Sequence, residues 1–436
     1  MSSRQTAIRA LERVESGAFA NVVLPPMLRA SDLDPRDRAL VTDLVYGTLR
    51  RLRTLDFVLA EASDRGLETL DAPVRAALRL GAYQLFDGVA PHAAVGETVE
   101  ALGAIQPAGK GFVNAVLRRV ASLDRPWALP GGNDAESVAI RTSMPSWIVE
   151  MLTLDLGAED ARGVFDMANQ PASVTLRPNS RVTTAEALTA ELRDLGADVA
   201  PGGLAPDAVM VRGLGDLRSS PPITEGRATP QDQSSQVIAR VVGAAPGERV
   251  LEIGAAPGGK ATGAAEQMDD RGLVVALDVN GARAGLIAEA ARRLGLGSVR
   301  PVIGDGRAVP FPDASFDRVL IDAPCSGLGV MRRRPDVRWR MTPQDVDQLA
   351  TLQRELLGAA ARLVRPGGRL VYSVCTLTAA ETTGVDAWAA DSLVGFVEEP
   401  PLPAPWEPRG RGALLLPQAA NSDGMYVLAL RRSAYA

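Results

Sequence analysis

The spacing of apolar residues changes twice along the chain and divides it into three segments. In residues 1–128 apolar side chains recur every three or four positions, as Ile8, Leu11 and Val14 do, without strand-like alternation. We therefore predict an all-helical domain that ends in the turn-rich stretch 124–134. Its predicted helices cover Pro73–Phe86, Gly96–Ile105 and Gly111–Val120, and another begins at Asp34-Pro35.

Strands are predicted only in the two segments that follow. Residues 135–225 mix both periods and predict a small α+β module, with a helix over Pro145–Met167, a strand over Ser173–Arg177, a helix over Thr184–Leu195 and a strand over Ala208–Arg212. Residues 226–436 alternate strands with helices, which predicts right-handed βαβ units and a doubly wound parallel sheet. The predicted strands are Arg249–Ile253, Leu273–Asp278, Arg300–Gly304, Arg318–Ile321 and Arg369–Val374. The best-formed helix starts at Thr342-Pro343.

The composition excludes several classes of protein. The chain has 436 residues, 46% of them hydrophobic, and a formal charge of −5, so it can build a full core and must bind any nucleic acid through a local patch. One histidine (His92) and two cysteines, Cys325 and Cys375, cannot form a Cys/His zinc site or the zinc cage of a nucleobase deaminase. With no signal core and no long apolar run, we expect a cytosolic protein.

A glycine-rich loop, Leu251–Thr262, follows the first strand of the last segment and opens a helix. Three ligands compete for it. The phosphate-binding G-x-x-x-x-G-K frame needs Ser or Thr where Ala261 stands, and the dinucleotide fingerprint needs Gly where Ala256 stands. S-adenosylmethionine, which has an adenosine but no phosphate, fits better. A plain structural turn is the alternative.

Two acids follow at the ends of the next strands. Asp278 lies 24 residues past Gly254, where a ribose-binding acid is usual, and Asp305 is placed to reach the adenine amino group. The predicted cofactor-binding residues are Gly254, Ala255, Ala256, Pro257, Gly258, Gly259, Lys260, Asp278, Asp305 and Asp322.

Both cysteines come just past the ends of strands, where a doubly wound sheet places its chemistry. Cys325 follows the fourth strand and Cys375 ends the fifth. Such strands are commonly adjacent, about 5 Å apart, so the two thiols should face one crevice, unless they are merely small buried apolar groups. A thiolate that adds to carbon 6 of a pyrimidine makes carbon 5 nucleophilic toward a methyl donor, and Asp322 could stabilise the charge on the ring. Spacing leaves open which cysteine attacks.

These motifs resemble the NOL1/NOP2/Sun family of RNA cytosine-C5 methyltransferases, and within it the bacterial Sun (Fmu) type that acts on 16S ribosomal RNA. The resemblance covers Gln231–Gln236, Gly254–Lys260, Asp322–Gly327, Arg332–Trp339, Tyr372–Leu377 and Ser422–Tyr426. The first domain is similar to the NusB-like domain of the Sun type, through Leu78–Phe86 and Val113–Arg118. The chain departs from the family at Glu252, Gly254 and Ala261, where the family often has Asp, Cys and Thr.

The resemblance implies a Rossmann-like class I methyltransferase domain that uses S-adenosylmethionine. It also implies Cys375 as the nucleophile, with Cys325 assisting breakdown of the covalent adduct. We expect a monomer with RNA, most simply 16S ribosomal RNA, as its partner and with neither a metal nor a membrane. Two alternatives stand beside this reading. One is a non-catalytic RNA-binding or antitermination factor with a retained methyltransferase fold, although such a factor would be free to lose Cys325, Cys375, Asp322 and Lys260. The other is a small-molecule methyltransferase.

An arginine-rich segment after the Cys325 loop is the predicted RNA contact. Residues 331–340 contain five arginines and one aspartate, together with a tryptophan that could stack on an unpaired base. The residues predicted to bind RNA are Arg332, Arg333, Arg334, Arg338 and Trp339. The alternative is an ordinary solvated charged face.

Overall fold

The computed structural model describes residues 1–214 and 217–434. The chain forms two compact units. The first contains Met1–Pro171 together with Met331–Arg340, and the second contains Ala172–Val330 together with Met341–Ala436. No helix in the described ranges is both long enough and apolar enough to cross a membrane.

The first unit is built from helices, and the first six of them in chain order share one apolar core. They are α1 Ser3–Glu15, α2 Ala20–Arg29, α3 Pro35–Ala62, α4 Ala72–Phe86, α5 Pro91–Gly103, α6 Lys110–Ala121, α7 Ala135–Thr142, α8 Ser146–Leu156 and α9 Ala158–Ala168. The predicted start at Asp34-Pro35 is confirmed, because the Asp34 carboxylate caps α3 by accepting from the N–H of Asp37. The all-helical prediction for the N-terminal domain is confirmed.

The predicted middle module is divided between the two units. Its helices α7 to α9 belong to the first unit, since the Thr54 hydroxyl donates to the carbonyl of Ile140 at 2.6 Å and the Arg53 N–H donates to the Ser143 hydroxyl at 3.0 Å. The single predicted helix over Pro145–Met167 is two helices, broken at Gly157, whose φ is 88°. Helical spacing identifies a buried face but does not tell which neighbour buries it.

The strands of the middle segment form a small antiparallel sheet in the second unit. They are β1 Val174–Pro178, β2 Asp198–Pro201, β3 Val209–Arg212 and β4 Ala228–Pro230, in the order β2-β3-β1-β4, with helices α10 Ala185–Asp194 and α11 Pro221–Thr224. The strands β2 and β4 were not predicted because they are short and lack a clear alternation of burial.

The larger sheet of the second unit carries the predicted chemistry. Its strands are β5 Arg249–Ile253, β6 Leu273–Asp278, β7 Val299–Ile303, β8 Phe316–Asp322, β9 Val364–Val374, β10 Phe396–Glu398, β11 Glu407–Arg409, β12 Gly412–Leu415 and β13 Met425–Arg432. The helices are α12 Gln233–Val242, α13 Gly259–Gln267, α14 Gly281–Arg293, α15 Pro343–Ala361, α16 Thr383–Ser392 and α17 Pro417–Ala420. The main strand order is β11-β12-β13-β9-β8-β5-β6-β7.

The central strands β9, β8, β5, β6 and β7 are parallel, as predicted. At one edge the sheet continues with antiparallel strands that the parallel pattern did not predict, because β13 pairs with β9 in antiparallel orientation and β12 pairs with β13 in the same way. The chain passes from β12 to β13 through a short connection, and antiparallel neighbours need no helical crossover. The strand order reverses between β5 and β8, which is the point where open α/β sheets bind their ligands.

Candidate active site

The two thiols meet at the ends of two adjacent parallel strands. Strands β8 and β9 pair in register, with Asp322 opposite Ser373. Their turns carry Cys325 and Cys375, whose Sγ atoms lie 3.4 Å apart and within hydrogen-bonding distance. Both side chains are half-buried, so neither thiol is sealed inside packed hydrocarbon. The structure therefore brings the two predicted cysteines into one crevice.

An ion pair between the buried Lys260 and the half-buried Asp322 lies at the start of the same crevice. The Lys260 Nζ donates to Asp322 Oδ2 at 2.6 Å, and the Ser373 hydroxyl donates to Asp322 Oδ1 at 3.3 Å. Burial alone would lower the pKa of the Lys260 ammonium, but the carboxylates of Asp322 and Glu252 outweigh it and raise that pKa, with a smaller contribution from Cys375. Lys260 is therefore a firmly protonated cation that faces both the acid and the thiol.

The two cysteines differ in their electrostatic surroundings. The hydrogen bond with Cys375, followed by burial and by the charge of Cys375, raises the pKa of the Cys325 thiol well above its usual range. Cys325 therefore keeps its proton, and either sulfur can be the donor in the S–H···S contact.

Glu252 lies next to the carboxyl end of β5, and its carboxylate is fully buried. Burial, and then the charge of Asp322, raises the pKa of Glu252 well above its usual range, although Lys260 opposes the shift. Among the residues that the structure describes, no side chain donates a hydrogen bond to its two carboxylate oxygens. Burial thus favours the neutral form of Glu252, whereas the neighbouring Lys260 ammonium favours the carboxylate.

The glycine loop is packed against the turn that follows β8. Gly254 has a φ of 78°, and a Cβ there would lie 2.2 Å from the carbonyl oxygen of Asp322. Only glycine permits both this backbone angle and this close approach. Gly258, with a φ of 103°, begins the turn into α13, and a Cβ added there would lie 3.2 Å from the Cα of Ile287. The loop and the Cys325 turn are therefore held together by main-chain contact.

The two predicted cofactor acids lie at strand ends on the same edge of the sheet. Asp278 is buried, and its carboxylate accepts from the N–H groups of Ala256 at 3.2 Å and Asn280 at 3.0 Å. Asp305 is partly exposed and accepts from the Arg307 guanidinium at 2.7 Å, and this hydrogen bonding lowers the pKa of Asp305. Each carboxylate has about four acceptor positions, so Asp278 can still accept from a hydroxyl.

The surroundings of these acids suit an adenosine. Val279 and Ile303, which lie close to Asp278 and Asp305 in the chain, are large apolar side chains left 71% and 65% exposed. Exposed apolar side chains beside hydrogen-bonding acids offer faces for a flat base and acceptors for ribose and amino groups. The residues present therefore fit the adenosine part of S-adenosylmethionine.

Arg177 of β1 is a residue that the sequence reasoning missed. Its guanidinium pairs with Glu266 of α13 at 2.9 Å, and it also donates to the hydroxyl of Thr262 and the carbonyl of Gly259. Both members of the ion pair are buried. Arg177 thus ties the small sheet to the helix that starts at the glycine loop, and no local pattern in the sequence signals this long-range contact.

The predicted RNA-binding segment is largely internal to the first unit, which corrects that prediction for two of its arginines. Arg338 is completely buried and donates to the carbonyls of Ser143 and Ala168, at 3.2 and 2.8 Å. Arg332 is also buried and donates to the carbonyl of Pro171 at 2.9 Å.

Trp339 and the neighbouring Arg340 are likewise used within the first unit. The Trp339 indole donates to the carbonyl of Leu49 at 3.0 Å, and Arg340 donates to the carbonyls of Val14 and Gly17. Carbonyls near the ends of helices lack intrahelical partners and attract cations, which explains an arginine-rich segment that does not face solvent. Arg333 and Arg334 are half-buried, and Arg334 also lies 5.3 Å from the ring centroid of Phe19.

Comparison with family models gives three matches along the chain. A model described as 16S rRNA methyltransferase RsmB/F matches residues 239–431, a NusB family model matches residues 1–122, and a model described as Methyltr_RsmF/B-like, ferredoxin-like domain matches residues 144–218. The predicted NusB-like domain is therefore confirmed. The small antiparallel sheet lies largely within the ferredoxin-like match.

Several relatives match nearly the whole chain. A Mycobacterium tuberculosis protein named as a methyltransferase, Rv1407, is 37% identical over 99% of this chain and 96% of its own length. The ribosomal RNA small subunit methyltransferase B of Sodalis glossinidius is 34% identical over 97% of this chain and 96% of its own length. Among solved structures, PH0851 is 25% identical with a TM-score of 0.87 over 99% of this chain and 98% of that chain.

Proposed function

The chain belongs to the family described as 16S rRNA methyltransferase RsmB/F, and from this premise we propose that it methylates carbon 5 of a cytosine in 16S ribosomal RNA through a covalent cysteine adduct. The cofactor is S-adenosylmethionine, which when bound supplies an electrophilic methyl group. The observation that carries the proposal is the pair of thiols 3.4 Å apart beside the Lys260–Asp322 ion pair. The predicted residues Gly254 to Lys260, Asp278 and Asp305 would hold the cofactor.

The Cys375 thiolate starts the reaction by forming a bond to carbon 6 of the cytosine. The electron pair displaced from the ring is taken up at N3, which accepts a proton that Asp322 relays from the Lys260 ammonium. Two observations support Cys375 as the nucleophile. The raised pKa of Cys325 keeps that thiol protonated, so it can donate toward the Cys375 sulfur 3.4 Å away, and Lys260 places a positive charge near that sulfur.

Carbon 5, now electron-rich, would form the new carbon–carbon bond as the bond between the methyl carbon and the donor sulfur breaks, with a neutral thioether as the leaving group. Carbon 5 must then lose its hydrogen as a proton. Once Cys375 is bonded to carbon, its charge and its hydrogen bond no longer raise the pKa of Cys325. Cys325 can then release its proton to solvent and accept the carbon-5 proton. The Cys375 sulfur departs with its bonding electrons as the proton on N3 returns to the Asp322–Lys260 pair.

The two thiol variants should separate this proposal from a non-catalytic RNA-binding factor. Purified protein is incubated with radiolabelled S-adenosylmethionine and 16S ribosomal RNA and then analysed on a denaturing gel. We expect Cys375→Ala to give neither methylated RNA nor an adduct. Cys325→Ala should accumulate a labelled protein–RNA adduct, because breakdown of the adduct is blocked.

The wild-type protein and the double variant Cys325→Ala/Cys375→Ala are the controls for turnover and for non-specific crosslinking. An adduct that accumulates in Cys375→Ala instead would reverse the roles of the two cysteines. A wild-type protein that binds the RNA but leaves no 5-methylcytosine in it would support the non-catalytic alternative.

A further inference from the structure

Glu381 is a fully buried carboxylate that the reaction described above does not use. Its Oε1 accepts from the N–H of Ser326 at 2.9 Å and from the side-chain amide of Gln353 at 3.0 Å. Its Oε2 accepts from hydroxyl groups at 2.6 to 3.0 Å, those of Ser326, Thr376 and Thr378. Every acceptor position of the carboxylate is therefore filled by a neutral donor.

These donors belong to both cysteine turns. Ser326 directly follows Cys325 and Thr376 directly follows Cys375, and the hydroxyls of Ser326 and Thr376 lie 2.6 Å apart. Across the described ranges, Glu381 forms no ion pair with a basic side chain. Burying an unpaired carboxylate is costly, and here only hydrogen bonds that link the two turns offset that cost.

We propose that Glu381 is a positioning residue that sets the distance between the two reactive thiols. One carboxylate holds the residue after each cysteine, so rotation of either turn would stretch a short hydrogen bond before its sulfur could move away. Gln353 extends the connection, because its amide also donates to the carbonyl of Pro324 at 2.9 Å. The consequence for the reaction rate rests on the proposed function, whereas the thiol geometry can be measured without it.

Crosslinking by dibromobimane, in which each thiol displaces one bromide, reports the sulfur–sulfur distance without RNA or cofactor. Glu381→Gln keeps the shape of the side chain but replaces one acceptor by a donor. We expect its crosslinking rate to fall at least about tenfold relative to wild type, with alkylation by monobromobimane unchanged. The matched control is Asp386→Asn, which alters a buried carboxylate bonded to Arg411 but to neither cysteine turn. It should crosslink at the wild-type rate.

A folded Glu381→Gln protein that crosslinks at the wild-type rate would overturn the proposal. If this variant does not fold, Thr376→Val tests the same connection, with Thr378→Val as its control, because Thr378 donates to the same carboxylate but adjoins neither cysteine. Slower crosslinking in Thr376→Val alone would support the proposal, and equal rates in both variants would refute it.

Methyl transfer gives the second measurement. A misplacement near 1 Å can cost about 100-fold in rate, so kcat of Glu381→Gln should fall by about that factor while KM for S-adenosylmethionine stays unchanged. If crosslinking falls as expected but the wild-type protein makes no 5-methylcytosine, the proposed function fails and the positioning role stands. If the wild-type protein is active and the variant keeps both its crosslinking rate and its kcat, the positioning role fails alone.

Discussion

Glu266→Gln breaks the ion pair that ties the small antiparallel sheet to the helix at the glycine loop. The Arg177 and Glu266 side chains are only 10% and 5% exposed. Removing one partner of a buried pair leaves an uncompensated charge and costs about 3–5 kcal/mol. Glutamine still offers Arg177 one hydrogen-bond acceptor, so we expect the free energy of unfolding to fall by about 3 kcal/mol, the lower end of that range. In a unit of 150–250 residues each kcal/mol lowers Tm by about 2–4 °C, which predicts a fall of about 6–12 °C.

The ion pair is costly to break without being a strong net stabiliser. Burial raises the pKa of the Glu266 carboxyl even though Arg177 opposes the shift, so pairing does not fully offset the loss of hydration. Replacing both partners by apolar residues of similar size is often neutral. The double variant Arg177→Met/Glu266→Met should therefore recover most of the stability that Glu266→Gln loses.

Differential scanning calorimetry is the suitable assay, because a chain of two compact units need not unfold in one transition. The control is Asp313→Asn, which removes an exposed ion pair with Arg362 and should leave Tm within about 2 °C of wild type. The reasoning would be refuted if Glu266→Gln lost less than about 1 kcal/mol of unfolding free energy, or if the double variant were less stable than Glu266→Gln.

Three further predictions concern single residues. Because burial raises the pKa of Glu252, the folded protein binds the Glu252 proton more tightly than the unfolded chain does. The stability that this proton contributes is full at acidic pH and is lost as the pH rises through the raised pKa. The Tm of Glu252→Gln relative to that of the wild type should therefore increase as the pH increases. Gly254→Ala should abolish binding of S-adenosylmethionine in calorimetric titrations, because the new Cβ would lie 2.2 Å from the Asp322 carbonyl oxygen. The control Gly247→Ala should bind S-adenosylmethionine normally, since Gly247 has a similar φ of 91° but open space around it. Arg338→Met should lower the Tm of the first unit and leave RNA affinity at constant salt nearly unchanged, since the guanidinium is buried among main-chain carbonyls; a marked loss of affinity in a folded variant would restore the RNA role.

The central strands of the larger sheet of the second unit could be predicted well from the sequence. Strands β5 and β6 begin and end where the pattern predicts, and β7 differs by one residue at each end. Buried parallel strands are short apolar runs bounded by turn residues, and such runs are readable without an alignment. The strand order then followed from the usual topology, and it correctly placed Cys325 beside Cys375.

The arginine-rich segment shows where sequence reasoning fails. Charge and position are visible in the sequence, but the partner of a charge is not. Arg338 is balanced by carbonyls of Ser143 and Ala168, which come from a distant part of the chain. The same limit hid Glu381, because its donors gather around it only after two turns and a helix have packed together.

The membership of Met331–Arg340 in the first unit has a consequence for biosynthesis. A ribosome releases the helices of Met1–Pro171 long before it has translated Arg338 and Trp339. Until then, the carbonyls of Ala168 and Leu49 lack the hydrogen-bond donors that Arg338 and Trp339 provide in the folded chain. The nascent amino-terminal unit is therefore incomplete until strands β5 to β8 of the larger sheet have been synthesised, in contrast to the usual order in which an amino-terminal domain finishes first. Maturation of the two halves is coupled by the path of the polypeptide itself.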